Sequence, residues 1–129
     1  MKKSLKFVLP ILLLIGVGAY FYLFQGHRNI ADEKPTFSLT LTDLDKEFSV
    51  NESLATKKYS DKTISIYGKL TSLDLKSNGI ILDDKIYATF IALNNKNLKL
   101  GSMITIKGRF LGFDELLGEF KLDQISIVE

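Results

Sequence analysis

The spacing of apolar positions divides this chain into three regimes. Residues 7–24 form an unbroken uncharged run that opens at Phe7 and closes at Phe24. As a helix rising ~1.5 Å per residue it reaches roughly 27 Å, close to the ~30 Å hydrocarbon core of a bilayer. Further on the period becomes helical. Leu41, Leu44 and Phe48 fall at i, i+3 and i+7, which is one face of a helix. Thr42 offers an N-cap there, and Asp43, Asp45 and Glu47 suit the positive end of the helix dipole. Asn51 reads as a second cap that opens a turn through Tyr59, with Lys57 and Lys58 in its last turn. The spacing therefore predicts two short helices, or one broken near Val50 and Asn51.

From residue 63 the period drops to two. Ile64, Ile66, Gly68 and Leu70 alternate with polar residues, as in a half-buried strand. Gly68 inside it predicts a bulge or a sharp bend. Ser77-Asn78-Gly79 is a turn leading into Ile80-Ile81-Leu82, and Asp83-Asp84 makes a tight hairpin into a strand over 85–91. Asn94-Asn95-Lys96-Asn97 breaks the pattern and leaves room for one helical turn at most. A fourth strand spans 103–110, with Gly108 inside it, and 112–115 reads as a loop. The last strand spans 120–128. Its apolar phase slips between Leu122 and Ile125, which predicts a bulge near Asp123 and Gln124.

Five short strands with glycines inside them point to a small barrel closed by coiled strands. The fold class is mainly β: a small five-stranded OB-like barrel preceded by one or two short helices and an N-terminal transmembrane helix. An SH3-like barrel is the alternative. The expected division is an anchor over 1–26, a tether over 27–41 and a barrel domain over 42–129, its helical lead-in at 42–60 and its barrel at 63–129.

Flanking charge orients the leader. Lys2, Lys3 and Lys6 precede the apolar run and Arg28 follows it, so the N-terminus is expected in the cytoplasm and the barrel outside. Tyr20 and Tyr22 lie near the far end, where amphipathic rings favour the headgroup zone. The lipid bilayer is thus the first partner, engaged from Phe7 to Phe24. A secretory signal cleaved after Val17-Gly18-Ala19, giving an exported domain, is the alternative. The apolar run continues past Ala19 through Phe24, which favours a retained anchor in the cytoplasmic membrane.

Charge changes the picture once it is divided. The whole chain is +2. Setting aside Lys2, Lys3, Lys6 and Arg28 leaves 13 basic against 15 acidic residues, about −2 for the folded part. Basicity therefore belongs to the leader and is no footprint of nucleic acid. The chain has no cysteine, which excludes disulfides, thiolate metal sites, thiol nucleophiles and the cysteine-linked lipid of a lipoprotein leader.

Ala55, Lys58, Tyr59, Lys62, Ile64, Ile66 and Gly68, with Leu98, Lys99, Gly101, Ile104, Thr105, Ile106, Lys107 and Gly108, resemble the tRNA_anti-like OB-fold proteins over roughly residues 50–129. These are small bacterial domains that often follow a signal, anchor or lipoprotein leader. The resemblance implies a shape and transfers no catalytic residue. Many such proteins carry cysteines in the third and fourth strands, where Ala88 and Phe110 stand here.

Candidate chemistry is sparse. His27, the single histidine, sits at the membrane boundary and reads as an interface residue. Asp83-Asp84 reads as a turn, and Asp114, Glu115 and Glu119 as a solvated loop, rather than as metal sites. No cofactor, metal or catalytic constellation is called for, so the protein is expected not to be an enzyme. Tyr67 and Tyr87 fall out of phase with the inward residues. With Lys69, Lys107 and Arg109 they form the candidate ligand face, since OB surfaces stack ligands on aromatics beside cations. Phe113, Leu116 and Leu117 are a candidate partner loop, or else they close the barrel end. The loops around Asn78, Asn94 and Phe113 complete this surface. The partner class is an envelope protein or a small ligand, and the rival is single-stranded nucleic acid.

Overall fold

The computed structural model describes every residue except 1, 25, 27, 93–96 and 129. The histidine and the loop about Asn94 singled out above lie outside the described residues. Helix α1, Lys2–Leu23, contains Pro10 and carries the apolar run. Residues 6–23 of it have a mean hydropathy of 1.9 and none is buried against the rest of the protein. It is a candidate membrane span.

Six strands follow: β1 (Phe37–Leu39), β2 (Thr63–Asp74), β3 (Gly79–Leu82), β4 (Ile86–Thr89), β5 (Met103–Asp114) and β6 (Glu119–Val128). Five of them close a barrel. The order β2-β3-β4-β6-β5 returns to its start because β5 also pairs with β2. The long β2 makes this closure possible. Thr63 to Lys69 pair with β5, and Leu70 to Asp74 pair with β3. One strand thus pairs with a neighbour at each end of its length and closes the sheet on itself.

Corner turning is local. β2 carries its bulge at Thr71, between the pairs Leu70–Leu82 and Ser72–Ile81. Gly68 is regularly paired to Ile104, so the bulge expected there lies three residues further on. Glycine at 68 answers a close approach instead: a Cβ would stand 2.6 Å from Asp83 Oδ2. The bulge expected in β6 is present. Three residues of β5, Lys107 to Arg109, oppose four of β6, Asp123 to Ser126, and Gln124 there has φ +50°. Beside it a Cβ on Gly108 would fall 2.4 Å from Ile125 Cγ2 and 2.9 Å from the Asp123 carbonyl oxygen. The 112–115 segment read as a loop is largely strand, and the turn comes at 115–118.

Helices α2 (Leu41–Val50) and α3 (Glu52–Tyr59) plug one end of the barrel. The N-cap of α2 is Thr40 rather than Thr42, in a capping box with Asp43. Asn51 serves as C-cap of α2 and N-cap of α3, which fixes the break between them. Phe48 drops into an aromatic cluster, 5.1 Å from the Phe120 ring, 5.9 Å from Phe110 and 6.2 Å from Phe113. Leu44, Ile64, Ile66, Leu82, Ile106 and Leu122 complete a core that excludes water.

The segment read as a tether is folded onto the barrel. Ile30 opens a 3-10 turn, Ile30–Asp32, and is only 1% exposed. β1 then runs parallel to β2, with Phe37 opposite Ile64 and Leu39 opposite Ile66. A polar stretch hid one buried isoleucine and a three-residue strand.

Candidate functional site

Alternation in β2 and β5 puts Tyr67, Lys69, Lys107 and Arg109 on the outer face of one strand pair. Tyr67 lies opposite Thr105, Lys69 opposite Met103, and Thr63 opposite Arg109. Tyr67 is 51% exposed and Lys69 is exposed. Tyr87 does not join them. It stands on β4 between Ile81 and Lys121, with β3 and β6 separating it from β2 and β5. Its ring covers Gly79 and its hydroxyl lies 2.9 Å from Ser77 Oγ, so it braces the β2–β3 turn.

Two cations of the candidate face are already engaged. Arg109 donates to both carboxylate oxygens of Asp123, at 2.9 and 2.6 Å, a bidentate pair. Lys107 Nζ donates to the Ala31 carbonyl at 2.6 Å. Around them runs a polar clasp that the sequence reading missed. Arg28 forks onto the Glu33 carboxylate through Nε and through Nη2, the latter at 2.8 Å, and its Nη1 donates to the Asp61 carbonyl at 2.6 Å. The buried Thr63 hydroxyl donates to Glu33 Oε2 at 2.5 Å. The Arg28 fork, then the Thr63 hydroxyl, hold the Glu33 carboxyl down at about 2. Its partner Arg28 is held above its ordinary value, chiefly by the hydrogen bonds it donates to Glu33.

Arg28 therefore belongs to the barrel rather than to the membrane flank, and the folded part is nearer −1 than −2. Nothing in sequence spacing joins residue 28 to residues 61 and 63. The isolated Arg28 and Glu33, in a stretch with one large apolar residue, were the only signal.

The candidate partner loop divides. Phe113 packs 4.8 Å from Phe120 and lies under the Lys85 ammonium at 5.9 Å, so it closes the barrel end. Leu116 and Leu117 point outward from the β5–β6 turn, 97% and 64% exposed. Asp83 and Asp84 both have positive φ, +50° and +59°, as a two-residue hairpin turn requires. Asp83 Oδ1 accepts from the Lys69 backbone N–H at 3.0 Å, so its carboxylate serves the turn.

An apolar groove of about 630 Å³ lies outside all of these residues, between α2 and α3. Val50 and Leu54 stand exposed on it at 81% and 63%, Ala55 floors it, and Leu39 of β1 borders it. Glu47, on its wall, accepts from the Tyr59 hydroxyl at 2.6 Å and from Lys58 at 3.1 Å. The hydrogen bond from Tyr59 is the main cause that lowers its carboxyl below the usual range.

Comparison with known proteins agrees with this architecture. A protein from Klebsiella pneumoniae named a "putative nucleic acid-binding lipoprotein" has a similar fold, with TM-score 0.54 at 18% identity, over 81% of this chain and 98% of its own. At that identity the likeness speaks for the fold. No curated protein matches. The tRNA_anti-like family model matches residues 1–117, a span that begins upstream of the resemblance read over 50–129 and ends before β6. With the five-stranded closure and the helices before it, this chain belongs to the tRNA_anti-like family.

Proposed function

We propose that the protein is a non-enzymatic OB-fold binding module, anchored by α1 and displayed outside the cytoplasmic membrane. The observation that carries this reading is the direct passage from an apolar, unburied helix into a strap, Arg28 through Leu39, docked on the barrel wall. Only residues 24–27 separate the two, so the barrel rides close to the bilayer surface. Three lysines ahead of the apolar run in α1 favour the cytoplasmic side for the N-terminus. The module acts by recognition, and its partner is an envelope protein or a small ligand. Crosslinking in intact cells, followed by identification of the captured species, tests the reading. A specific envelope partner supports it, and capture of cytoplasmic proteins alone contradicts it.

Single-stranded nucleic acid is the second reading, favoured by the name of the Klebsiella neighbour. Phosphate neutralisation dominates such affinity. Here Arg109 is paired with Asp123 and Lys107 is bonded to the strap, which leaves Tyr67 and Lys69 as the open part of that wall. Fluorescence anisotropy with a labelled oligonucleotide at low salt is expected to show no binding at tens of micromolar. Salt-sensitive binding that is lost in Tyr67→Ala would install the second reading instead.

A further inference from the structure

The 115–118 turn is built to hold two leucines in solvent. Asp114 Oδ1 accepts from the backbone N–H of Leu116 at 3.0 Å and of Leu117 at 3.2 Å. Gly118 closes the turn on the Asp114 carbonyl at 2.8 Å, and Lys121 pairs with the Asp114 carboxylate at 3.1 Å. A turn so braced presents its side chains with little entropy left to lose on binding. An apolar pair this exposed signals a contact surface.

The groove between α2 and α3 is its complement. It is apolar along Val50, Leu54 and Ala55 and wide enough for two leucine side chains, and Asn51, capping both helices, fixes its angle. Charge matches as well. Glu115 and Glu119, beside the leucines, have no basic partner among the described residues. Lys46 on the groove rim has no acidic partner among the described residues, whereas Glu47 is bonded to Lys58 and Asp43 to the N-cap Thr40. We infer that the partner of the groove is a second copy of this chain, whose Leu116–Leu117 turn seats between α2 and α3 with Glu115 turned toward Lys46. Such a contact joins two different surfaces of the same protein, so it closes as a reciprocal pair or continues as a chain. Confinement of the copies to one bilayer by α1 would raise their effective concentration, but the contact itself does not depend on which side of the membrane the barrel occupies.

The test uses the full chain in detergent micelles, followed by sedimentation over a wide concentration range. Self-association is expected, weakened more than tenfold in dissociation constant by Leu116→Asp and equally by Leu54→Asp. Both side chains are exposed, so each variant should keep the wild-type melting temperature. Mixing the two variants is the decisive arm, since one copy keeps an intact groove and the other an intact turn. The mixture should associate where neither variant does alone, and Glu115→Lys with Lys46→Glu should recover what each single change loses. A wild type that stays monomeric overturns the proposal. So does association that survives both variants, as α1 packing would give. Loss with the turn variant alone would assign the leucines to another occupant, such as the bilayer, and also overturns it.

Discussion

Glu33 carries the clasp at the level of single side chains. Its folded value near 2 lies below its ordinary 4.5, so its contribution to stability is complete above about 4.5 and lost as the pH falls through about 2. Thermal melts between pH 5 and 2 should show this decline, and Glu33→Gln should remove that part of the slope while starting from a lower melting temperature at neutral pH. The two strand glycines make a second, contrasting test. Gly108→Ala drives a Cβ against the Asp123 carbonyl and the Ile125 side chain across the β6 bulge, where backbone must yield, and should cost about 1–3 kcal/mol in denaturant unfolding. Gly68→Ala crowds the Asp83 carboxylate, a side chain that can turn aside at the loss of its hydrogen bond from the Lys69 N–H while the backbone stays in place, and should cost less. Both glycines are visible in the sequence, but their reason is not. Each answers a neighbour 15 to 17 residues away across a register that only the closed barrel defines.

Among the elements, the strands and the helical plug were legible and the strap was not. Alternation of Ile64, Ile66 and Leu70 fixes which face of β2 points inward, and all three are fully buried. The same phase places Tyr67 outside. Phase says nothing of what an outward cation touches, however, and Lys107 and Arg109 find their partners at Ala31 and Asp123. The strap escaped because its one buried residue, Ile30, sits among polar neighbours with no period to reveal it. Ile30→Ala should therefore destabilise the barrel by about 2–5 kcal/mol in chemical denaturation, where a free tether would show no effect. Phe48→Ala removes the aromatic plug from between Phe110, Phe113 and Phe120 and should cost about 3–5 kcal/mol.

For the molecule as a whole, the strap changes what the leader means. If α1 spans the bilayer, a barrel on a loose tether would sample a wide shell above it, whereas one clasped from Arg28 onward would be held near it. The leader also explains the excess of positive charge, and the barrel itself is close to neutral. The proposed function therefore depends most on where the barrel stands relative to the membrane. The absence of cysteine allows a direct measurement with single-cysteine variants and a membrane-impermeant maleimide. In intact protoplasts, Lys69→Cys on the open wall of the barrel should be labelled and should stay with the membrane fraction. Lys3→Cys should be labelled only after lysis. Labelling of Lys3→Cys but not Lys69→Cys in intact protoplasts, or recovery of the labelled barrel free of the membrane, would contradict the account.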